Sequence, residues 1–197
     1  MAPLELNRFK KIRTSLVKKA RGRVLEIGSG TGVNFPYYER GVHVDAIEPN
    51  PLMMNQTKKR KDAAIASIET YLASAEKLPF PDDSFGAVVA TLVFCTIPEP
   101  AKALQEIKRV SKSDATFLLF EHVRMDHKML GKTQDFLTPA WKKVCDGCHL
   151  NRDTLELLKQ SDFSISKVDS YFYGLFLAIE CSNIKEVKRI NIDEASK

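Results

Sequence analysis

A buried strand that runs straight into three closely spaced glycines constrains the fold of this chain more than any other segment. Residues 24–32 read VLEIGSGTG, so that Gly28, Gly30 and Gly32 follow an apolar run of strand length. Glycines permit positive φ angles and close approach of the backbone to a ligand. In an open α/β sheet, ligands bind beyond the carboxyl ends of the strands. The segment therefore predicts an α/β domain with its ligand beside this loop, and a helix that begins near Asn34 and presents N–H groups to the ligand.

Apolar runs of strand length alternate with helical patterns along the rest of the chain. The predicted strands span residues 23–28, 43–48, 69–73, 86–93, 115–122, 164–172 and 175–182. The predicted helices span residues 3–20, 33–40, 51–65, 99–111, 128–144 and 151–161.

The connections between these elements predict how the strands pair. Helices or long crossovers separate the first five strands, which favours parallel pairing. The last two strands meet at Tyr173-Gly174 and should form an antiparallel hairpin. We expect a Rossmann-like α/β fold with a seven-stranded, mostly parallel sheet that ends in this hairpin and carries helices on both faces. The domain should span residues 23–182, between a basic helix over 1–22 and a tail over 183–197.

Positive charge is concentrated in the first residues of the chain. Residues 1–23 hold eight Lys or Arg and one Glu, whereas the whole chain carries a net charge of +5. The simplest interpretation is a helix that packs Leu6, Phe9, Leu16 and Val17 on the sheet and exposes its lysines. The alternatives are a surface helix that contacts membranes, an organelle presequence and a nucleic-acid-binding arm. No apolar run approaches the roughly 20 residues of a membrane-spanning helix.

The spacing of the glycines distinguishes between adenine-containing cofactors. The loop reads G-x-G-x-G, and Val33 stands where the dinucleotide pattern G-x-G-x-x-G needs its third glycine. Glu26 would repel a pyrophosphate but suits the ammonium and sulfonium groups of S-adenosylmethionine. Glu48 follows Gly28 by 20 residues, the separation at which an acidic side chain accepts hydrogen bonds from ribose hydroxyls. The pattern therefore favours S-adenosylmethionine, with Glu48 and the adjacent Pro49 beside its ribose.

The ends of the third and fourth predicted strands should complete the cofactor site. Ala75 and Glu76 follow the third strand, where they would meet the adenine ring. Leu92 and Phe94 follow the fourth strand, where they would close over the cofactor beside the methyl group to be transferred.

Several segments, taken in order, resemble the class I S-adenosylmethionine-dependent methyltransferases. They are VLEIGSGTG, IEPNP, ASAEKLPFPDDSFGAVVATLVFC and LQEIKRVSKSDATFLLFEHV. TPAW at 138–141 and DGCHLNRDT at 146–154 are similar to the eukaryotic methyltransferase-like thiol S-methyltransferases, a branch related to the ubiquinone and menaquinone C-methyltransferases. The resemblance implies methyl transfer to a small-molecule acceptor, with a thiol as one candidate, and places Asp146-Gly147-Cys148 in the acceptor pocket.

Three departures from that family stand in this sequence. Its members usually begin with a hydrophobic membrane-anchoring segment, whereas this chain begins with the basic segment. Ser113-Asp114-Ala115 replaces the common Pro-Gly-Gly turn, and Gly86 replaces a usual Asp. The first departure puts membrane anchoring in doubt, and the other two are changes that turns tolerate.

Methyl transfer to a thiol needs alignment and removal of a proton, because an ordinary thiol has a pKa of about 8.5. His122, at the end of the fifth strand, is the first candidate for the base, followed by Asp146 and His149. The alternative for His122 is a structural contact with the loop after the fourth strand. An apolar acceptor pocket could be lined by aromatic side chains, namely Trp141, Phe136 and Phe172.

The Cys145-Asp-Gly-Cys148-His149 segment has two further interpretations. It matches the haem c attachment pattern, which we regard as coincidental because no secretion signal accompanies it. Zinc sites need about four ligands and no second Cys pair is present in the sequence, so we expect no metal. The structural alternative is a helix end capped by Gly147. Cys95 and Cys181 are interpreted as buried small hydrophobes.

Other functions remain open on sequence alone. They are a quinone- or lipid-type C- or O-methyltransferase, a nicotinamide oxidoreductase, a nucleic-acid methyltransferase and a non-catalytic cofactor-binding regulator. The confinement of positive charge to one short segment counts against nucleic acid. Four scattered cysteines favour reduced thiols and a cytoplasmic protein, with a mitochondrial or peripheral-membrane location as the alternative.

Overall fold

The computed structural model describes residues 8–185, and these form one seven-stranded sheet flanked by helices. The strands are β1 (Arg23–Ile27), β2 (His43–Ile47), β3 (Ser67–Tyr71), β4 (Phe85–Thr91), β5 (Ser111–His122), β6 (Phe163–Tyr171) and β7 (Phe176–Asn183). The helices are α1 (Lys10–Val17), α2 (Pro51–Met54), α3 (Lys58–Asp62), α4 (Pro100–Val110), α5 (Lys128–Val144) and α6 (Thr154–Gln160).

The strand pairing confirms the predicted architecture. The strand order is β3-β2-β1-β4-β5-β7-β6, in which β1 to β5 pair in parallel and β7 pairs antiparallel with both β5 and β6. The order reverses between β1 and β4, so the loops that follow these two strands face each other. Such a reversal is where open α/β sheets form their ligand crevice.

Side chains alternate between two cores, one on each face of the sheet. Along β1, Val24 points to the face covered by α1, whereas Leu25 and Ile27 point to the face covered by α4 and α6. Alternation with a period of two is the geometry of any strand, and apolar residues on both faces show that β1 is buried on both sides. The prediction of helices on both faces is therefore confirmed.

The basic segment at the start of the chain is, where described, part of this fold. Phe9, Leu16 and Val17 are buried in the α1-side core, while Lys10 and Lys11 are exposed. This matches the simplest interpretation of the segment, although Leu6 and the predicted helical residues 3–7 lie outside the described residues. Membrane contact by this segment stays a prediction. Among residues 8–185, no helix is both long enough and apolar enough to cross a membrane.

Two predicted helices are wrong in extent. Residues 33–40 form only a 3₁₀ turn, Phe35–Tyr37, because Tyr38 adopts an extended conformation that carries its ring into the interior. The glycine loop therefore does not lead into an α-helix N-terminus. Residues 51–65 are split into α2 and α3 by a 3₁₀ turn, in which the Thr57 hydroxyl donates to the Met54 carbonyl. Back-bonding of this kind distorts helices.

Candidate active site

The loop after β1 and the loop after β4 approach so closely that Gly28 has no room for a side chain. Gly28 has a φ of +61°, and a Cβ added there would lie 2.1 Å from Cγ2 of Val93. Gly32 is required for a different reason, because a Cβ there would lie 2.7 Å from the ring of Phe35. Gly28 and Gly30 thus border the crevice, whereas Gly32 allows the chain behind them to pack.

Glu48 ties the glycine loop to the end of β2. Its buried carboxylate accepts hydrogen bonds from the backbone N–H of Gly30 at 2.8 Å and of Asn50 at 2.9 Å. These two bonds fix the distance between the loops after β1 and β2. The side chain also lines the crevice, as its sequence spacing predicts.

A cavity of about 350 Å³, here called the glycine-loop cavity, lies between the loops after β1, β2 and β4. Of the predicted cofactor and catalytic residues, six line it: Gly28, Gly30, Glu48, Pro49, Leu92 and Asp146. Ser29 also lines it, and the Ser29 hydroxyl is buried with no hydrogen-bond partner among the described residues. A buried hydroxyl without a partner is costly, so its place on a cavity wall suits a polar ligand group.

A second cavity of about 320 Å³, here called the β3 cavity, adjoins the glycine-loop cavity and shares Thr96 and Asp146 with it. Ala75 and Glu76 line this part, as predicted from their position after the third strand. The two cavities together follow the carboxyl ends of the parallel strands.

Glu26 does not lie on either cavity wall. The side chain is fully buried, and its carboxylate accepts hydrogen bonds from Asn34 Nδ2 at 3.0 Å and from the Tyr38 hydroxyl at 2.8 Å. Burial raises the pKa of Glu26 to about 7, against the lowering effects of Tyr38, Asn34 and Arg13. Glu26 therefore does not face the cavity as predicted, whereas Asn34, which donates to it, lines the glycine-loop cavity.

Arg13 extends this buried network into α1. Its guanidinium donates to Asn34 Oδ1 at 3.1 Å and to Thr91 Oγ1 at 2.7 Å, and it also lines the glycine-loop cavity. Sequence reasoning missed this role. The available signal was a single arginine on the stripe that also carries Phe9 and Leu16, because positions four and three residues apart share a helix face.

Phe94 is the third predicted cofactor residue, after Gly32 and Glu26, that lies away from the cavity walls. It is completely buried in the core, 6.1 Å from Phe117 between ring centroids, and lines none of the cavities described here. Leu92, two residues earlier, takes a left-handed φ of +55° and lies between two cavities instead. Side chains alternate between the two faces of a sheet only within a strand, and β4 ends at Thr91. The sequence pattern therefore could not predict which way the Phe94 side chain points.

A third cavity, here called the apolar cavity, has a volume of about 380 Å³ and meets the glycine-loop cavity at Leu92 and Thr96. Its other lining residues are mainly apolar and come from distant parts of the chain: Phe9, Cys95, His122, Trp141, Cys145, Cys148, Leu150, Leu175 and Phe176. Trp141 and His122 lie on the wall of this cavity, and their roles toward an acceptor stay predictions. Phe136 is 83 % exposed, and Phe172 packs edge-on to Phe9, so neither lines this cavity.

Three sulfur and nitrogen side chains meet on the wall of the apolar cavity. His122 Nε2 lies 3.2 Å from Cys148 Sγ, and the ligand atoms of Cys95, His122 and Cys148 all lie within 4.8 Å of one another. The hydrogen bond with Cys95, followed by His122, lowers the pKa of Cys148 well below its ordinary value. The same bond and burial raise the pKa of Cys95. Cys95, interpreted from sequence as a buried small hydrophobe, is therefore part of a polar cluster.

The segment after α5 serves both of the roles that the sequence left open. Gly147, at a φ of +76°, donates its N–H to the Lys142 carbonyl at 3.1 Å and caps the helix, while Cys148 faces the apolar cavity. Asp146 is exposed and borders the glycine-loop cavity rather than the apolar one. His149 faces the Cys95 carbonyl, 3.2 Å from its Nδ1, and lies outside these cavity walls.

Arg152 holds the loop that carries Cys95 and Thr96, a role that the sequence did not indicate. Its guanidinium donates to the carbonyl oxygens of Phe94 and Ile97, which lie on either side of those two residues. The loop between the cavities is therefore fixed by a half-buried cation from a segment more than 50 residues away in sequence.

Comparison with known proteins gives this arrangement its family. The profile of a methyltransferase domain matches residues 25–119. The rat thiol S-methyltransferase TMT1B is 33% identical over 181 residues, which cover 83% of this chain and 73% of the relative. The chain belongs to the S-adenosylmethionine-dependent methyltransferases. It is an enzyme of that class, and S-adenosylmethionine is its cofactor.

More distant relatives agree with this methyltransferase family. The ubiquinone/menaquinone biosynthesis C-methyltransferase UbiE of Vibrio parahaemolyticus is 30% identical over 119 residues, covering 57% of this chain and 46% of that protein. A SAM-dependent methyltransferase from Aquifex aeolicus shares the fold with a TM-score of 0.66 at 19% identity, over 92% of both chains. Membership of the methyltransferase family sets aside the nicotinamide oxidoreductase alternative.

The geometry of this methyltransferase fits its cofactor. The glycine-loop and β3 cavities lie side by side with shared lining residues, which suits a ligand with an amino-acid end and an adenosine end. The unpartnered Ser29 hydroxyl and the loop backbone offer hydrogen-bond donors to a carboxylate.

Proposed function

We propose that this methyltransferase transfers the methyl group to a small lipophilic thiol bound in the apolar cavity. One observation carries the proposal: the apolar cavity adjoins the glycine-loop cavity, since Leu92 and Thr96 line both. An acceptor in the first cavity and the cofactor in the second would meet at those two residues. Ligand pockets of this kind are mostly apolar with a few polar groups that fix orientation.

Residues of the glycine-loop and β3 cavities hold the cofactor in this proposal. The backbone of Gly28 and Gly30 and the Ser29 hydroxyl face its amino-acid end, Glu48 and Pro49 its ribose, and Ala75 and Glu76 its adenine. The cofactor supplies a methyl group on a sulfonium, whose leaving group departs readily. The main task of the protein is therefore to align the acceptor with that methyl group.

The choice of a thiol rests on the wall chemistry and on relatives. The cluster formed by Cys95, His122 and Cys148 brings two sulfurs and an imidazole to one place on the cavity wall, where they can receive an acceptor sulfur and assist the loss of its proton. The rat relative that shares 33% identity is named as a thiol S-methyltransferase. A quinol or lipid ring is the second candidate, supported by the apolar wall and by the UbiE relative.

Acceptor specificity is tested by incubating the purified full chain with methyl-labelled S-adenosylmethionine and a panel of thiols, quinols and phenols. We expect a label on the sulfur of lipophilic thiols, detected as a mass shift, and a slower reaction with hydrophilic thiols. Labelling of quinol carbon or phenol oxygen alone would replace the thiol by the second candidate. Cofactor binding with no labelled product from any acceptor would leave the regulator interpretation.

A further inference from the structure

The cluster of Cys95, His122 and Cys148 draws its members from three separate segments. Cys95 lies in the loop after β4, His122 ends β5, and Cys148 follows α5. The fold brings their donor atoms within 4.8 Å of one another, and the two thiols are only 3 % and 8 % exposed. The expectation of no metal rested on the isolated Cys145/Cys148 pair, and the fold supplies a different second cysteine.

Two cysteine sulfurs and an imidazole nitrogen form a ligand set that is suited to zinc. Zn²⁺ binds Cys sulfur at about 2.3 Å and His nitrogen at about 2.0 Å, so donors of a tetrahedral site lie roughly 3.5 Å apart. The His122 Nε2 to Cys148 Sγ distance of 3.2 Å and the 4.8 Å limit on the whole cluster bracket that separation. Sites with three protein ligands leave a fourth position for water or substrate and are the catalytic type.

The geometry points to a Zn²⁺ site formed by Cys95, His122 and Cys148, with its fourth position open to the apolar cavity. All three side chains line that cavity, so the open position faces the proposed acceptor. Binding of the ion would release the thiol protons of the two cysteines, because thiolates are the ligands.

The surroundings hold the cluster in place. Glu121 accepts hydrogen bonds from the N–H groups of Val93 and Phe94 at 2.9 Å and 3.1 Å, directly before Cys95. The N–H of His149 donates to the Cys95 carbonyl at 2.8 Å, so the segment after Cys148 is bonded to the loop that carries Cys95. Among the described residues, the only polar side-chain partner of His122 is the Cys148 sulfur. The imidazole also stands edge-on to the ring of Phe176, 6.4 Å between centroids, so the cluster and this ring together orient it.

A role for the ion in the reaction rests on the proposed thiol acceptor. The acceptor thiol takes the fourth position as a thiolate and gives its proton to solvent. The acceptor sulfur then forms a bond to the methyl carbon while the bond from that carbon to the cofactor sulfonium breaks, and neutral S-adenosylhomocysteine leaves. In this arrangement His122 is a ligand rather than the general base that its sequence position predicts.

Metal binding is tested on the reduced full chain, without any activity measurement. We expect one Zn²⁺ per chain by elemental mass spectrometry and, after removal of zinc by a chelator, strong visible absorbance when Co²⁺ is added, as tetrahedral thiolate coordination produces. Cys95→Ser, Cys148→Ser and His122→Gln should each lose the absorbance. Cys145→Ser is the matched control, since this thiol lines the same cavity outside the cluster and should keep the absorbance.

Cofactor affinity of each variant shows whether it is folded. If a cysteine variant is unstable, His122→Gln still tests the site, because glutamine has a side-chain volume close to that of histidine. Absence of Zn²⁺ and Co²⁺ binding by the reduced protein would overturn the site. Equal metal binding by Cys145→Ser and Cys148→Ser would also overturn it, as would a Cys95–Cys148 disulfide formed on air oxidation with no metal uptake under reducing conditions.

Turnover of a lipophilic thiol then tests the role of the ion. At pH 7 only about one in 30 thiols of ordinary pKa is ionised, so the zinc-free enzyme should be slower by roughly 30-fold, with unchanged cofactor affinity. Equal rates with and without zinc would refute the role in acceptor activation. If no thiol is methylated by either form, the proposed acceptor fails, while the measured zinc content still decides the site.

Discussion

The glycine-loop cavity and the apolar cavity share Leu92 and Thr96 but are built in different ways. The loops after β1, β2 and β4 form most of the first, where Glu48 bonds two of them together and Arg13 joins from α1. Long side chains from the flank of α1, the end of α5 and the β5–β7 pair form the second. The comparison teaches that the cofactor half is set by strand topology, whereas the acceptor half is set by which side chains distant segments contribute.

The largest effect should come from filling the close approach on the cofactor side. Gly28→Ala adds a Cβ that meets the stiff Val93 side chain at a position with φ of +61°. Strain and overpacking of this kind cost roughly 2–5 kcal/mol in the free energy of unfolding, and the loops must separate. We expect the variant to unfold at a much lower urea concentration than the wild type. Calorimetric titration should show that it no longer binds the cofactor.

The double variant Gly28→Ala/Val93→Ala separates the two causes. It removes the collision but leaves the left-handed backbone, so stability should recover only in part. Wild-type stability and cofactor affinity in Gly28→Ala would show that the two loops do not hold each other as the structure has them.

The cofactor half could be predicted from the sequence to a large extent. The cavities at the carboxyl edge of the sheet are lined by Gly28, Gly30, Glu48 and Ala75. Each of these residues follows a strand, and the sheet topology brings the ends of those strands to the same edge. Glu26 could not be placed in the same way. It lies within β1, on the face of Val24, and its side chain points into the α1-side core rather than beyond the strand.

The acceptor half could be predicted only in fragments. His122 and Trp141 line the apolar cavity, but nothing local links Cys95 to Cys148, which are 53 positions apart. Their proximity depends on the packing of the α5–α6 connection against the loop after β4. The hydrogen bonds that fix this packing run from Arg152 and from the His149 N–H to backbone carbonyls, which carry no sequence signature.

The second-largest effect concerns the buried network that supports the cofactor half. Burial raises the pKa of Glu26 from 4.5 in the unfolded chain to about 7, with Arg13, Asn34 and Tyr38 facing it. The folded protein therefore holds an extra proton between these values. The free energy of unfolding should fall as pH rises from about 4.5 to 7 and level off above 7, by at most on the order of 3 kcal/mol from this group.

Glu26→Gln cannot titrate, so this part of the pH dependence should disappear. Urea unfolding of both proteins at pH 5, 6, 7 and 8 gives the free energy of unfolding against pH, and the difference between the two slopes is the contribution of Glu26. Burial also raises the pKa of Glu121 to about 7, but Glu121 is present in both proteins, so its contribution cancels. A constant offset is expected as well, because the amide cannot accept hydrogen bonds from both Asn34 and Tyr38. Identical slopes for the two proteins would contradict the buried position of the carboxyl.

A smaller effect should show that the apolar cavity binds the acceptor and not the cofactor. Trp141→Ala removes part of the apolar cavity wall and should raise KM for a lipophilic acceptor about tenfold, which corresponds to about 1.4 kcal/mol of lost apolar contact. Cofactor affinity should stay unchanged. Phe136→Ala is the matched control, because this ring lies on the same helix but is 83 % exposed and outside the cavity. Similar KM values for both variants would argue that the acceptor binds elsewhere.

The smallest effect should come from the Ser29 hydroxyl on the cofactor side. Its removal should lower cofactor affinity without lowering the stability of the cofactor-free protein. Ser29→Ala removes a buried hydroxyl that has no partner among the described residues, so the cofactor-free protein should be equally stable or slightly more stable. If the hydroxyl donates to the cofactor, affinity should fall about fivefold, since a hydrogen bond contributes roughly 1 kcal/mol. Thr154→Val is the matched control, because it removes another buried, unpartnered hydroxyl that lies away from the glycine-loop cavity.

Calorimetric titration with cofactor and thermal unfolding without it supply both measurements. Equal cofactor affinities for the two variants would mean that the Ser29 hydroxyl faces the cavity without binding the ligand, and that the backbone of the loop alone holds that end of the cofactor.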